Sequence, residues 1–184
     1  MNSILNRYVV LLRGINVGGN NIISMKVLKE QLSEYGFYDV ETYINSGNIL
    51  LKSSINRKDE VSIVIKKIIF EKFNLIITVC VITVDELLEM KQRCPGWWNL
   101  DKNSRYNALF VIPPMTSENV MNQIGELNPV IEQCEFIDHI LFWEVKNDYY
   151  SKSKYSKMLG KSYYPSLTIR NANTFNKLVE LCQK

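Results

Sequence analysis

The sequence is poorest in the residues that most often do chemistry. Its 184 residues hold one histidine, His139, and 4 cysteines. Cys80, Cys94, Cys134 and Cys182 stand far apart with no C-x-x-C pair, so neither a zinc site nor a dithiol motif has its ligand spacing, and no metal and no cofactor is expected. A chain of this length needs no disulfide staples, and the scattered thiols point to a reduced, cytoplasmic protein. Long apolar runs are also missing. The stretches 61–73 and 75–84 are broken by charge or too short to cross a bilayer, so no membrane span is expected. The N-terminal apolar run stops at Arg13-Gly14 with no small-residue cleavage site behind it, which argues against a signal peptide.

What is present suits a folded, soluble core: 46% of the residues are hydrophobic and the net charge is only +3. The charge is unevenly placed. From Lys146 onward there are 8 Lys/Arg against 2 Asp/Glu, so the C-terminal segment is the basic end.

Periodicity and turn chemistry order the elements. Residues 8–12 form a β-branched, apolar run suited to a central strand, and a loop follows to Ile23. Ser24 is a natural N-cap for a helix with Val27, Leu28, Leu32 and Tyr35 on one face, closed by Gly36. Strands at 40–44 and 49–51 bracket Asn45-Ser46-Gly47-Asn48, a two-residue hairpin turn of type I′ composition. A helix at 57–73 directs Val61, Ile65, Ile68, Ile69 and Phe73 inward, and a strand follows at 75–81. Residues 85–93 make a further helix capped by Thr83. The second half repeats this order, with strands at 106–112, 135–137, 141–145 and 166–169 and helices at 117–127, 152–159 and 173–182. The expectation is an α+β protein of two successive ferredoxin-like units, each a split βαβ of order βαββαβ followed by an extra helix. The first occupies 1–94, the second 106–184, and 95–105 connects them.

Three stretches carry possible function. In the loop Arg13-Gly14-Ile15-Asn16-Val17-Gly18-Gly19-Asn20, the glycines would let backbone amides approach an anion near a helix start. The spacing matches neither a Walker loop nor a dinucleotide fingerprint, and the same glycines serve equally as positive-φ positions in a connection that reverses direction. The C-terminal segment interleaves Lys146, Lys152, Lys154, Lys157, Lys161 and Arg170 with Tyr149, Tyr150, Tyr155, Tyr163 and Tyr164, a composition suited to phosphates and stacked bases. The same composition describes a solvated basic helix whose tyrosines line a core. Finally, Arg170 and Asn171 sit where a strand gives way to a helix, so Asn171 can cap while Arg170 clamps an anion or pairs internally. His139 reads as a turn residue with no nucleophile beside it, and no carboxylate pair is assignable as acid and base. With a first strand opposed to the second, the glycine loop and the Ser46-Gly47 turn are expected at opposite ends of the first sheet.

The motifs LLRGINVGG, GF-x-D-V-x-TYI-x-SGN and T-x-RN-x-x-T-x-x-KL, the last on Thr168, Arg170, Asn171, Thr174, Lys177 and Leu178, resemble the bacterial domain-of-unknown-function family 1697 over nearly the whole chain. The resemblance implies a bacterial protein and no particular reaction. An S-K pair that recurs in the family falls here on Ser153-Lys154, while Ala172 stands where an aromatic is common.

The reading favoured by these stretches is a binding module for a phosphate-bearing small molecule or nucleic acid, using Arg13, Gly14, Asn16, Gly18, Gly19, Asn20, Lys152, Lys154, Arg170 and Asn171. A small-molecule enzyme with a site in the cleft between the units, and a protein-interaction module built on a sheet edge, are the alternatives.

Overall fold

The computed structural model describes residues 5–184 and shows a mixed α+β protein with two four-stranded antiparallel sheets. The chain forms two compact units. The first runs to Leu88 and includes Cys182–Lys184, and the second is Glu89–Leu181.

In the first unit, β1 (Asn6–Leu12), β2 (Tyr38–Tyr43), β3 (Asn48–Ser53) and β4 (Val79–Thr83) line up in the order β2-β3-β1-β4. Helices α1 (Met25–Glu34) and α2 (Lys58–Phe73) interrupt them, and α3 (Val84–Gln92) follows β4. Every other residue of β1 and β3 faces the two helices: Tyr8, Val10, Leu12, Ile49 and Leu51 share a core with Leu28 and Leu32 of α1 and Val61, Ile65, Ile68 and Ile69 of α2. That period-2 set meeting a period-3.6 set is what the alternation of apolar residues dictates. Capping residues set the ends. Ser24 Oγ accepts from Val27 N, Asn74 closes α2 at φ 53, and Thr83 and Glu86 form a reciprocal capping box in which each side chain accepts from the other's backbone N–H.

In the second unit, β5 (Ser104–Val111), β6 (Glu132–Ile137), β7 (Ile140–Lys146) and β8 (Leu167–Asn171) take the order β6-β7-β5-β8. One face of this sheet, carrying Leu109, Val111, Leu141, Trp143 and Val145, packs with Val120 and Ile124 of α4 (Ser117–Ile124). On the other, Phe110 and Phe142 meet Phe175 of α5 (Ala172–Cys182), and Trp98 lies edge-on to Phe142 at 4.9 Å and to Phe175 at 5.8 Å. The tryptophan is buried, so the segment around it is packed into the second unit rather than strung across solvent.

The structure corrects three expectations. Residues 152–159 are not a helix. Between β7 and β8 the chain makes a 3-10 turn at Asn147–Lys152, irregular turns, and a second 3-10 turn at Tyr164–Ser166, so the second unit is not βαββαβ. Serine side chains compete for the backbone there: Ser153 Oγ donates to Tyr150 O at 2.6 Å and accepts from Ser156 N at 3.0 Å. The β2–β3 turn is not a two-residue type I′ turn. It spans Ile44 to Gly47 between the paired Tyr43 and Asn48, with positive φ at Ile44 and Gly47. Nor do the glycine loop and this turn lie at opposite ends of the sheet. β1 and β2 both run antiparallel to β3, hence parallel to each other, and Asn16 Nδ2 donates to Asn45 O at 2.8 Å.

Candidate functional site

The glycine loop is a closed structure. Val17 and Asn20 form an antiparallel bridge around Gly18 (φ 58) and Gly19 (φ 78), so the positive φ values that a primed turn needs fall here, two loops away from where the hairpin suggested them. Asn16 is the staple: its Oδ1 accepts from Ile23 N at 2.8 Å, and its Nδ2 donates to Ile23 O at 2.9 Å as well as to Asn45 O. Asn21 Nδ2 donates to Gly14 O at 2.9 Å, and the amides of Asn16 and Asn20 donate to Asn21 O and Val17 O. Arg13 lies half-buried at the root of the loop, its backbone N on Thr78 O at 3.0 Å.

The basic residues of the C-terminal segment part company. Lys154 reaches back to Ile124 O with Nζ at 2.7 Å, where it satisfies a carbonyl at the C-terminal end of α4. Arg170 is buried and donates from Nη1 to Thr168 Oγ1 at 3.0 Å and Ile169 O at 2.8 Å. Lys152 is exposed, with Nζ 5.8 Å from the centre of the Tyr149 ring. Asn171 accepts from Thr174 N at 2.9 Å, which makes it the cap of α5. His139 is half-buried in the short turn joining β6 and β7, and its carbonyl accepts from Val111 N.

Asn171 leads to the concavity of the second unit. A cleft of about 390 Å³ is lined by Asn99, Ser104, Arg105, Tyr106 and Asn107 from the approach to and start of β5, Tyr150 and Tyr155 from the irregular segment, and Asn171, Ala172 and Asn173 at the start of α5. Register explains the assembly: Asn107 pairs with Asn171 across β5 and β8, so the polar beginning of one strand sits beside the polar end of the other. Arg105 is fixed in two ways. Its guanidinium lies 4.2 Å from the Tyr150 ring centre, and Nε donates to Asn147 Oδ1 at 3.0 Å. Held over a ring and tethered at Nε, the guanidinium has its orientation restrained from two sides.

The wall opposite β5 rests on a buried carboxylate. Glu132 of β6 accepts from Trp143 Nε1 at 3.0 Å, from Lys154 N at 2.6 Å and from Tyr155 N at 3.1 Å. These bonds hold the segment 147–166, termed here the clasp, against the sheet. Burial pushes the Tyr155 hydroxyl well above its ordinary range, so it is a neutral phenol at physiological pH. Beneath the cleft, Tyr106 OH accepts from Asp101 N and donates to Glu144 Oε1 at 3.2 Å, and Ser104 Oγ donates to the same carboxylate oxygen at 2.7 Å. The Asp101 carboxyl is held below its usual value, foremost by the Asn103 amide and also by Lys146 and Ser104. No carboxylate, histidine or cysteine is among the lining residues, which offer one guanidinium, hydrogen-bonding amides and tyrosine hydroxyls.

Of the ten residues singled out from sequence, only Asn171 lines this cleft. Arg105, Asn107, Asn99 and Asn173 line it and are not among the ten. The signal was there for two of them: Arg105 and Asn107 occupy the strand face that continues as the core residues Leu109 and Val111, and polar residues interrupting an apolar face mark an opening.

Two four-stranded antiparallel sheets with helices define an α+β protein, and the cleft of its second unit is lined mainly by polar residues. A family model described as protein of unknown function (DUF1697) matches residues 5–142, and the chain belongs to that family. Its fold is similar to that in "The structure of conserved bacterial protein SP0830 from Streptococcus pneumoniae", with 31% identity, a TM-score of 0.85, and coverage of 97% of this chain and 99% of that one. No curated protein matches. Among the described residues no helix is long and apolar enough to cross a membrane.

Proposed function

We propose that the second unit is a binding module for a phosphate-bearing ligand, with the cleft as its site and Arg105 as the anion clamp. The observation that carries this reading is the Arg105 guanidinium, held on Tyr150 and by Asn147 at the rim of a polar cavity. A fixed guanidinium recognises phosphate through two parallel N–H bonds, and bonds to charged groups are about twice as strong as neutral ones. Asn107 and Asn173 supply amide donors and acceptors beside it, and the first turn of α5 adds a partial positive charge. The loop from Arg13 to Asn21 takes a structural role in this reading, since its own hydrogen bonds account for its asparagines and its glycine geometry.

The same reading takes the first sheet as a split βαβ, ferredoxin-like unit and the second as its counterpart in strand order alone. The matching orders β2-β3-β1-β4 and β6-β7-β5-β8 support it, with the clasp standing where a helix would close the second. Residues 1–94 and 106–184 are then the architectural repeats, in a cytoplasmic bacterial protein.

Isothermal titration of the wild type and R105A with inorganic phosphate and AMP tests the assignment. Loss of two charge-assisted bonds predicts at least about tenfold weaker binding in R105A, with R105K intermediate because it keeps charge without the fork. Equal affinity of wild type and R105A would remove Arg105 from the site and the reading with it.

A further inference from the structure

Three features of the second unit bear on what kind of phosphate compound the cleft takes. The first is charge. Arg105 is the only lysine or arginine among the lining residues, and no acidic residue lines the cleft with it. One guanidinium and a helix start match one phosphate group, which carries about −1.5 to −2 at neutral pH. A second or third phosphate would find no further cation in the lining.

The second is the fate of the aromatic and basic stripe. A single-stranded nucleic acid needs a cationic track and open ring faces on which bases stack. Here Tyr150 has Arg105 against it at 4.2 Å and Tyr155 at 6.1 Å, and Tyr155 in turn packs edge-on to Trp143 at 5.5 Å. Of the cations, Lys154 is on Ile124 O, Lys146 on Asp101, Lys177 on Glu180, and Arg170 is buried in the sheet, while the exposed Lys152, Lys157 and Lys161 line no part of the cleft.

The third is size and lining. About 390 Å³ falls at the small-molecule end of binding cavities, which run from roughly 300 to 1,000 Å³. Three asparagines besides the α5 cap, namely Asn99, Asn107 and Asn173, present amides that pair with hydroxyls or with the donor and acceptor edge of a base.

We propose that the cleft takes a small monophosphate with a polar, hydrogen-bonding body, the chemistry shared by a nucleoside monophosphate and a sugar phosphate, and not a polyphosphate or an RNA strand. This rests on the assignment of the cleft as a phosphate site. The phosphate sits on the Arg105 fork, and the body lies toward the asparagines.

The test is a titration series on the full chain with AMP, ribose 5-phosphate, ATP and an eight-nucleotide oligo(A) RNA, each at several salt concentrations, with R105A and N107A alongside. The expected result is that AMP or ribose 5-phosphate binds, that ATP gains no more than about threefold over AMP, and that R105A loses about tenfold or more. N107A weakens the monophosphate more than it weakens inorganic phosphate, because its amide also serves the body of the ligand. Preference for AMP identifies a base-reading cleft, and equal binding of ribose 5-phosphate identifies a sugar-reading one; either supports the proposal. RNA or ATP binding tenfold or more tighter than both monophosphates, with salt dependence reflecting several released counterions, would overturn this inference and leave the phosphate assignment standing. Failure of every phosphate compound to bind would overturn both.

Discussion

Between its third and fourth strands the first unit carries α2, a helix of 16 residues, whereas the second carries the clasp, residues 147–166, with no α-helix. The two connections do the same topological work by different physics. α2 satisfies its own backbone and buries Val61, Ile65, Ile68 and Ile69 on the sheet, so its position is spread over many apolar contacts. The clasp cannot satisfy its backbone alone and borrows a carboxylate, Glu132, for the amides of Lys154 and Tyr155. Giving up the helix exposes the polar start of β5, and the cleft opens there. In the first unit the corresponding face is closed by core.

The comparison predicts that the clasp depends on one residue. Glu132→Ala leaves one buried and two part-buried donors without a partner, at about 1–3 kcal/mol each with the part-buried pair at the low end, so urea unfolding should show a loss of about 4 kcal/mol. Hydrogen exchange should rise first at Lys154 and Tyr155, ahead of β1 and β3. A loss below about 1 kcal/mol would show that the clasp is held by its aromatic packing instead.

In the first unit, the sharpest dependence lies at a close approach. A Cβ on Gly47 would sit 2.6 Å from Leu12 Cβ, and the backbone there has φ +79. Gly47→Ala should therefore cost about 2–3 kcal/mol through crowding and conformational strain, read by thermal denaturation. A neutral result would mean that the turn shifts off β1 at little cost.

The smallest effect is electrostatic. Burial pushes the Glu86 carboxyl up, but hydrogen bonds from Lys58 and Thr83 outweigh this and hold it below its ordinary value of 4.5. A folded-state pKa below the unfolded one contributes stability above the unfolded pKa, lost as pH falls through the folded one. The stability gap between wild type and Glu86→Gln should thus be present at neutral pH and shrink well below pH 4.5. A gap independent of pH would assign the effect to shape and not to charge.

Much of the fold was legible because it follows from local rules. Ser24, Thr83 and Asn171 cap as their residue types require, and the inward set of α2 is the one its period names. The clasp was misread because lysines and tyrosines at helical spacing look amphipathic, while the decisive group, Glu132, lies more than twenty residues earlier and acts through tertiary contact. The loop ends were misplaced by a strand-direction error, which the shared antiparallel partner β3 resolves. At the site, the sequence drew attention to glycines and lysines, the conspicuous residues. Arg105 and the asparagines are individually ordinary, and tertiary contacts gather them: the β5–β8 register sets Asn107 beside Asn171, and Tyr150 and Asn147 hold Arg105.

The direct test of the central claim is two-dimensional NMR mapping of AMP added to the full chain. The shifts are expected to cluster on Arg105, Asn107, Tyr155, Asn171 and Asn173, with the loop from Arg13 to Asn21 unmoved. Shifts centred on that loop, with the cleft silent, would contradict the assignment of the site to the second unit.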